Sequence, residues 1–205
     1  MEVLMDQISK FLESIDIGNV QNHLNMTVVP LVSSDSAKRD FITLEEALVK
    51  EKVEITEVNE DGDIGELTIH NKGNINTLII EGEELVGAKQ NRIVNITILI
   101  PKKKTVNIPV SCVEEGRWSA KSERFSSENR MMYSSLRKRH RSKVTENILA
   151  GDGAVSDQDE IWSDIPRFMR ESADCESPTM AMSDIYEKQE KKLSKYHKAF
   201  KAVDG

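Results

Sequence analysis

The densest set of reactive side chains lies between Glu81 and Arg92, which read Glu-Gly-Glu-Glu-Leu-Val-Gly-Ala-Lys-Gln-Asn-Arg. Three carboxylates are followed by two cations and two amides, and Gly82 and Gly87 permit sharp backbone bends. Arg92 can grip a phosphate or carboxylate through two parallel N–H groups, Lys89 adds a point charge, and Gln90 and Asn91 can orient a polar ligand. Glu83 or Glu84 has the chemistry of a general base or a divalent-ion ligand. The alternative is an internal network, with Lys89 and Arg92 paired to Glu83 and Glu84 so as to fix a bulged hairpin.

A second stretch, Ser111-Cys112-Val113-Glu114-Glu115-Gly116-Arg117-Trp118, falls where the β signal ends. Neighbouring carboxylates raise a thiol's pKa, so Cys112 reads as a small buried packing residue rather than a nucleophile. Arg117 with Trp118 can stack on a base or sugar, or the indole can close the core. The third feature is electrostatic. From Arg117 to Lys143 nine Lys/Arg face two Glu, a net +7, which leaves −14 on the rest of a chain whose total is −7. Arg137, Lys138, Arg139 and Arg141 are dense enough to touch the phosphates of a polymer, or to pair with the protein's own acids or an acidic partner. No recognised nucleic-acid motif accompanies them.

Several chemistries drop out. The histidines at 23, 70, 140 and 197 share no ligand spacing, and Cys112 and Cys175 stand far apart, so no metal centre and no disulfide framework is indicated. There is no P-loop, no G-x-G-x-x-G after a strand and no G-x-S-x-G. No cofactor is assigned. An acidic total charge and 5% aromatics make overall attraction to nucleic acid or anionic lipid unexpected. The acidic residues Glu2, Asp6, Glu13 and Asp16 in the first turns argue against a secretory signal, and no apolar run is long enough to span a membrane. The expected address is cytoplasmic.

The elements that must position these groups follow from periodicity. Leu4, Ile8, Phe11, Leu12 and Ile15 form a helical stripe ending before Gly18. A strand is expected at 26–32, and Thr43-Leu44-Glu45-Glu46 reads as a capping box. From Val53 to Val113 alternating apolar residues and Gly-containing turns give, with the strand at 26–32, about six mostly antiparallel strands. After Trp118 the pattern predicts helices: a long one from Ser126-Ser127-Glu128 to the Gly151-Asp152-Gly153 turn, one started by Ser156 with Asp159 and disturbed by Pro166, and a last one from Ser177-Pro178 to Phe200. The fold class is α+β, with an N-terminal helix and linker at 1–25, a β-rich unit at 26–118 and a helical region at 119–205 packed on it.

GEELVGAKQNR (82–92), IVNITILIP (93–101) and IPVSCVEEGRW (108–118) resemble the signature of the ADP-ribosylglycohydrolase- and rhodanese/phosphatase-associated domain family, and TVVPL (27–31), Leu136-Arg137 and Trp162 extend the resemblance. The family is a mainly prokaryotic group with no established reaction. Its name implies association with ADP-ribose removal and phosphatase-type proteins, and a place in conflict or stress-response systems. What the resemblance carries over is a set of matched positions: Glu83, Glu84, Lys89, Gln90, Asn91, Arg92, Cys112, Glu115, Arg117 and Trp118. It also implies a Gly-rich strand and a final helix after Phe200, where this sequence stops at Gly205; a homodimer or a second polypeptide is the expected source of that edge. Without the resemblance the residues define an architecture and no reaction. Two readings follow: a domain binding a phosphorylated or nucleotide-type small molecule through Glu81 to Arg92, or a non-enzymatic interaction module using the basic helix.

Overall fold

The computed structural model describes residues 2–33 and 39–203, and the side chains of all of these except 2–5, 172 and 173. The Leu4 side chain and the terminal Asp204-Gly205 therefore lie outside the described residues. In chain order the elements are helix α1 (Glu2–Glu13), strands β1 (Ile15–Ile17), β2 (Gln21–His23), β3 (Met26–Val28), β4 (Leu31–Ser33) and β5 (Phe41–Thr43), then helix α2 (Leu44–Val49). Strands β6 (Val53–Glu57), β7 (Glu66–Asn71), β8 (Asn76–Ile79), β9 (Glu83–Gly87), β10 (Arg92–Val94), β11 (Ile98–Ile100), β12 (Thr105–Cys112) and β13 (Phe125–Met131) follow. Helices α3 (Ser134–Ala150), α4 (Gln158–Phe168) with a π-helical turn at Met169–Ala173, and α5 (Met182–Ala199) complete an α+β fold.

The chain divides into two compact units, residues 1–39 with 189–205, and residues 40–188. The expected boundary at 118/119 falls inside the second. In the first unit β1 pairs with β4 and β2 with β3, both antiparallel, and the His23 ring sits edge-on to Tyr196 at 5.4 Å. Ile8, Phe11 and Leu12, from the expected apolar stripe of α1, are exposed among the described residues.

The second unit is built on a six-stranded antiparallel sheet, ordered β13-β9-β10-β12-β7-β6, and a three-stranded sheet, β11-β8-β5, in which only β5 and β8 run parallel. Side chains of a strand alternate between faces, and directly opposed residues share one. Arg92 opposes Leu85 and Cys112, whereas Ile93 opposes Glu84 and Ser111. Leu85, Val94, Ile108 and Val110 accordingly join one core with Leu44, Ile55 and Ile69. Ile93 joins a second core on the other face, roofed by Leu136 of α3, Ile161 and Ile165 of α4, and Met182 and Ile185 of α5.

The Thr43 capping box forms as expected, with the Thr43 hydroxyl accepting from the Glu46 N–H and the Glu46 carboxylate accepting from the Thr43 N–H. Other expectations need correction. The region after Trp118 is not wholly helical: β13 adds to β9 as an edge strand, and α3 starts only at Ser134. Its polar FSSENRM sequence shows no apolar alternation because one face meets solvent, and a register shift between Ser127 and Met131 breaks its period. The N-cap of α4 is Asp157, whose carboxylate accepts from the Glu160 N–H, rather than Ser156. Pro166, expected to kink or shorten this helix, does lie inside α4, which passes it by two residues before the α geometry gives way to the π turn. Helix α5 begins at Met182, since the Glu114–Ala181 bridge and the Met182 N–H bonded to the Val113 carbonyl hold the preceding segment extended.

Candidate functional site

On the Leu85 face the fully buried Arg92 guanidinium donates through Nη1 to Gln90 Oε1 (2.8 Å) and to the Cys112 sulfur, and through Nη2 to the Asp63 carbonyl (3.3 Å). Its ion partner is Glu57 at 3.8 Å, not Glu83 or Glu84. Lys89 reaches the same carboxylate through its backbone N–H (3.2 Å), while its ammonium donates to the Glu60 carbonyl. Arg92 and Lys89 both lie against the half-exposed Trp118 ring, 5.4 and 5.7 Å from its centroid. Cys112 is buried, as expected, but burial rather than the adjacent carboxylates pushes its thiol up to about 11.

A second knot forms at the β9–β10 turn. Arg117, also buried, donates to the carbonyls of Ala88, Ser119 (2.9 Å) and Gly87 (3.3 Å), to Asn91 Oδ1 (3.1 Å) and to Glu114 Oε2 (2.5 Å). Burial would raise the Glu114 carboxyl, yet hydrogen bonds from Arg117, the Asn91 N–H and Thr179 hold it below the usual carboxylate range. Gly87, at φ +132°, lies so close to the Arg124 carbonyl that a Cβ would meet it at 2.8 Å. Gln90 donates to the Glu115 carbonyl at 3.4 Å, and the Glu115 carboxylate is exposed.

Glu84 stands apart. On the Ile93 face, beneath the helices, it is fully buried, and neither carboxylate oxygen has a hydrogen-bond partner among the described residues. Burial pushes it up to about 8, against a small opposing pull from Arg130. Glu83, half-buried and raised by burial, accepts from the Ile80 N–H at 3.1 Å. The sheet therefore separates Glu84 from Arg92, and Lys89, Arg92, Asn91 and Arg117 are bound into internal networks.

The basic tract divides in the same way. Arg139 turns to α4, 2.9 Å from Glu160 and 2.6 Å from Asp164. Arg137, Lys138 and Arg141 line an open concavity of about 700 Å³ together with Glu81, Met132, Ser134, Ser142, Thr145 and Glu146. Glu81 accepts from Arg137 Nε at 3.1 Å and lies 3.9 Å from Arg141 Nε. Gly82, at φ +87°, makes room for this: a Cβ there would lie 2.8 Å from Arg137 Nε. The α3 N-terminus at one end has no side-chain cap, so its first N–H groups are not met by Tyr133. Lys138 alone of the nine tract cations makes no ion pair among the described residues.

Glu57, Glu81 and Glu114 are the acids that sequence reasoning missed as partners. Glu114 was traceable, because it continues the even-numbered inward positions Ile108, Val110 and Cys112. Glu57 and Glu81 come from distant or turn positions, and no spacing rule points to them.

With this geometry in view, the comparison with known families is specific: residues 14–205 match the ARPP-1 domain, described as ARG and Rhodanese-Phosphatase-superfamily-associated Protein, and the chain belongs to that family. No curated protein and no solved structure matches it. No helix among the described residues is long and apolar enough to cross a membrane.

Proposed function

We propose that this ARPP-1 protein is a binding module for a phosphorylated or nucleotide-type small molecule, held in the α3 concavity rather than in the signature loop. The observation that carries the reading is the convergence of Arg137, Lys138 and Arg141 on one concave surface of about 700 Å³, within the range of small-ligand sites. Arg137 and Arg141 are one helical turn apart and so share a face. Arg137 spends only its Nε–H on Glu81, which leaves terminal N–H donors for an anion. The uncapped α3 N-terminus adds backbone donors beside Ser134. The signature networks then brace β9 and the turn at Gly82 against which Arg137 packs. An ADP-ribose derivative is the first ligand to test, given the family's association, and a cytoplasmic conflict or stress-response system is the proposed setting.

A thermal-shift series with ADP-ribose, AMP, ribose 5-phosphate and ribose tests the reading. The phosphorylated compounds should stabilise the chain, by about 2.7 kcal/mol at 100 times the dissociation constant, and ribose should not. Arg137→Gln with Arg141→Gln should weaken binding by about tenfold or more per lost charge-assisted bond. Gly82→Ala, which displaces Arg137, should do the same in part. Equal shifts from ribose, or unchanged affinity in the double variant, would refute the proposal.

The interaction-module reading makes a different prediction. With Arg139 committed to α4, at most three phosphate contacts remain, so binding to duplex DNA should show a log-log salt slope near about −2.7 and little sequence preference. A steep slope that persists after Arg137, Lys138 and Arg141 are all changed to Gln would locate any such binding elsewhere.

A further inference from the structure

A second cavity, of about 350 Å³, lies where the α3–α4 linker folds over the end of β12. Ile64, Pro109, Val110 and Val155 form apolar walls, Asp152 and Glu66 supply two carboxylates, of which Glu66 Oε2 accepts from Asn107 Nδ2 at 3.0 Å and Oε1 is left for a ligand, and no Lys, Arg or His among the described residues lines it. It is thus the electrostatic opposite of the basic concavity.

The polarity of its floor follows from hydrogen-bond accounting. The Ala154 carbonyl can only accept, and it takes the Asn95 amide N–H at 2.9 Å, which fixes that side chain's orientation. Asn95 Oδ1 then faces two groups, Ser111 Oγ at 2.7 Å and His140 Nε2 at 3.1 Å, and as an acceptor it needs a hydrogen from each. The His140 proton therefore sits on Nε2, and the buried Nδ1 is bare and has no hydrogen-bond partner among the described residues. Burial holds this imidazole neutral by lowering it to about 4. Ser111 has spent its only hydrogen on Asn95, so at its contact with Ser156, 2.5 Å away, Ser156 is the donor. The Ser156 hydroxyl, on the cavity floor, is left with lone pairs alone to offer a ligand. Gln158 adds nothing there in its main bonds: its amide is closed on the Cys112 backbone, Nε2 to the carbonyl and Oε1 to the N–H, both at 2.8 Å.

We propose that this cavity is a binding site for a small organic cation, an amine or amidinium carried on a short apolar body. The body fills the space between Pro109, Val110 and Val155, while the cationic N–H groups meet the Ser156 oxygen and the two carboxylates. An anion would face Glu66 and Asp152 with no compensating cation, and a neutral alcohol would forgo their attraction. The site is independent of the α3 concavity, and its ligand has the opposite charge.

Titration of the full chain with four compounds of similar shape tests it by calorimetry and thermal shift. Benzamidine and benzylamine should bind, benzyl alcohol should bind at least about tenfold more weakly, and benzoate should not bind. Glu66→Gln with Asp152→Asn, both exposed positions, should erase the preference for the cations over the alcohol. Ser156→Ala should weaken benzamidine about five- to tenfold. Val155→Trp, at a half-exposed linker position, should fill the cavity and abolish binding of all four. No benzamidine binding at 10 mM or so, equal binding of benzoate or benzyl alcohol, or full benzamidine affinity in either the charge variant or the Val155→Trp protein would overturn the proposal.

Discussion

Glu84→Gln is expected to remove a fall in stability that the wild-type protein shows between about pH 6.5 and 8. Glu84 ionises near pH 4.5 in the unfolded chain and at about 8 when folded, so over that interval the native state holds a proton the unfolded state lacks. Stability contributed by a raised carboxyl is present below the unfolded value and is lost as pH rises through the folded one. The loss is about 1.4 kcal/mol per pH unit. His140 works in the opposite sense. Its folded value of about 4 lies below the ordinary 6.5, so it costs stability as pH falls from 6.5 toward 4. Between 4.5 and 6.5 the two slopes oppose each other and nearly cancel, and above 6.5 His140 no longer opposes Glu84. Wild type should therefore be about equally stable from pH 4.5 to 6.5 and lose about 2 kcal/mol by pH 8. The Gln variant should instead gain stability from 4.5 to 6.5 and then level off. Urea melts at four pH values decide it: parallel wild-type and variant curves would mean that Glu84 is solvated or paired in solution. Glu84→Leu, which also removes two orphaned acceptors, should stabilise the protein further at pH 8.

Much of this arrangement is legible in the sequence. The alternation of Val106, Ile108 and Val110 places β12, the Thr43 box places α2, and Gly151 at φ 90° ends α3 as a left-handed C-cap. The family signature is legible too. What the residue string hides is register. Glu84 and Arg92 sit in one polar run, yet the four residues Ala88 to Asn91 between β9 and β10 set the pairing Leu85 with Arg92, and so send Glu84 to the opposite face. A turn one residue longer or shorter would bring the two side chains together. The edge strand β13 is hidden for a related reason, since a half-solvated strand needs apolar residues on one face only and this one has a bulge as well. The basic tract could be counted from sequence, but its division between Arg139 and the other three depends on α4 lying beside α3.

Arg117→Ala is expected to cost about 3–5 kcal/mol, enough to unfold many domains of this size. The substitution removes the buried counter-charge of the fully buried Glu114 carboxylate, which keeps only the Asn91 N–H, the Thr179 hydroxyl and the exposed Lys121 ammonium at 3.7 Å, and leaves the buried carbonyls of Gly87 and Ala88 without their guanidinium donors. Arg117→Lys keeps the charge but cannot reproduce a planar fork that spans five acceptors, so about 2 kcal/mol should still be lost. Arg117→Met with Glu114→Gln removes that buried charge, and should recover a large part of the single-variant loss. Urea denaturation of the four proteins separates a brace from a ligand-binding arginine. A binding arginine, exposed in the free protein, would cost less than about 1 kcal/mol on truncation and would show no rescue. The same logic covers Arg92→Ala, whose guanidinium is buried among Gln90, Cys112 and Trp118 and should likewise destabilise rather than simply weaken anion binding. If both arginines behave this way, the signature segment is the rigid base that positions Glu81, Gly82 and Arg137. The α3 concavity is then left as the surface where variants should change binding without changing stability.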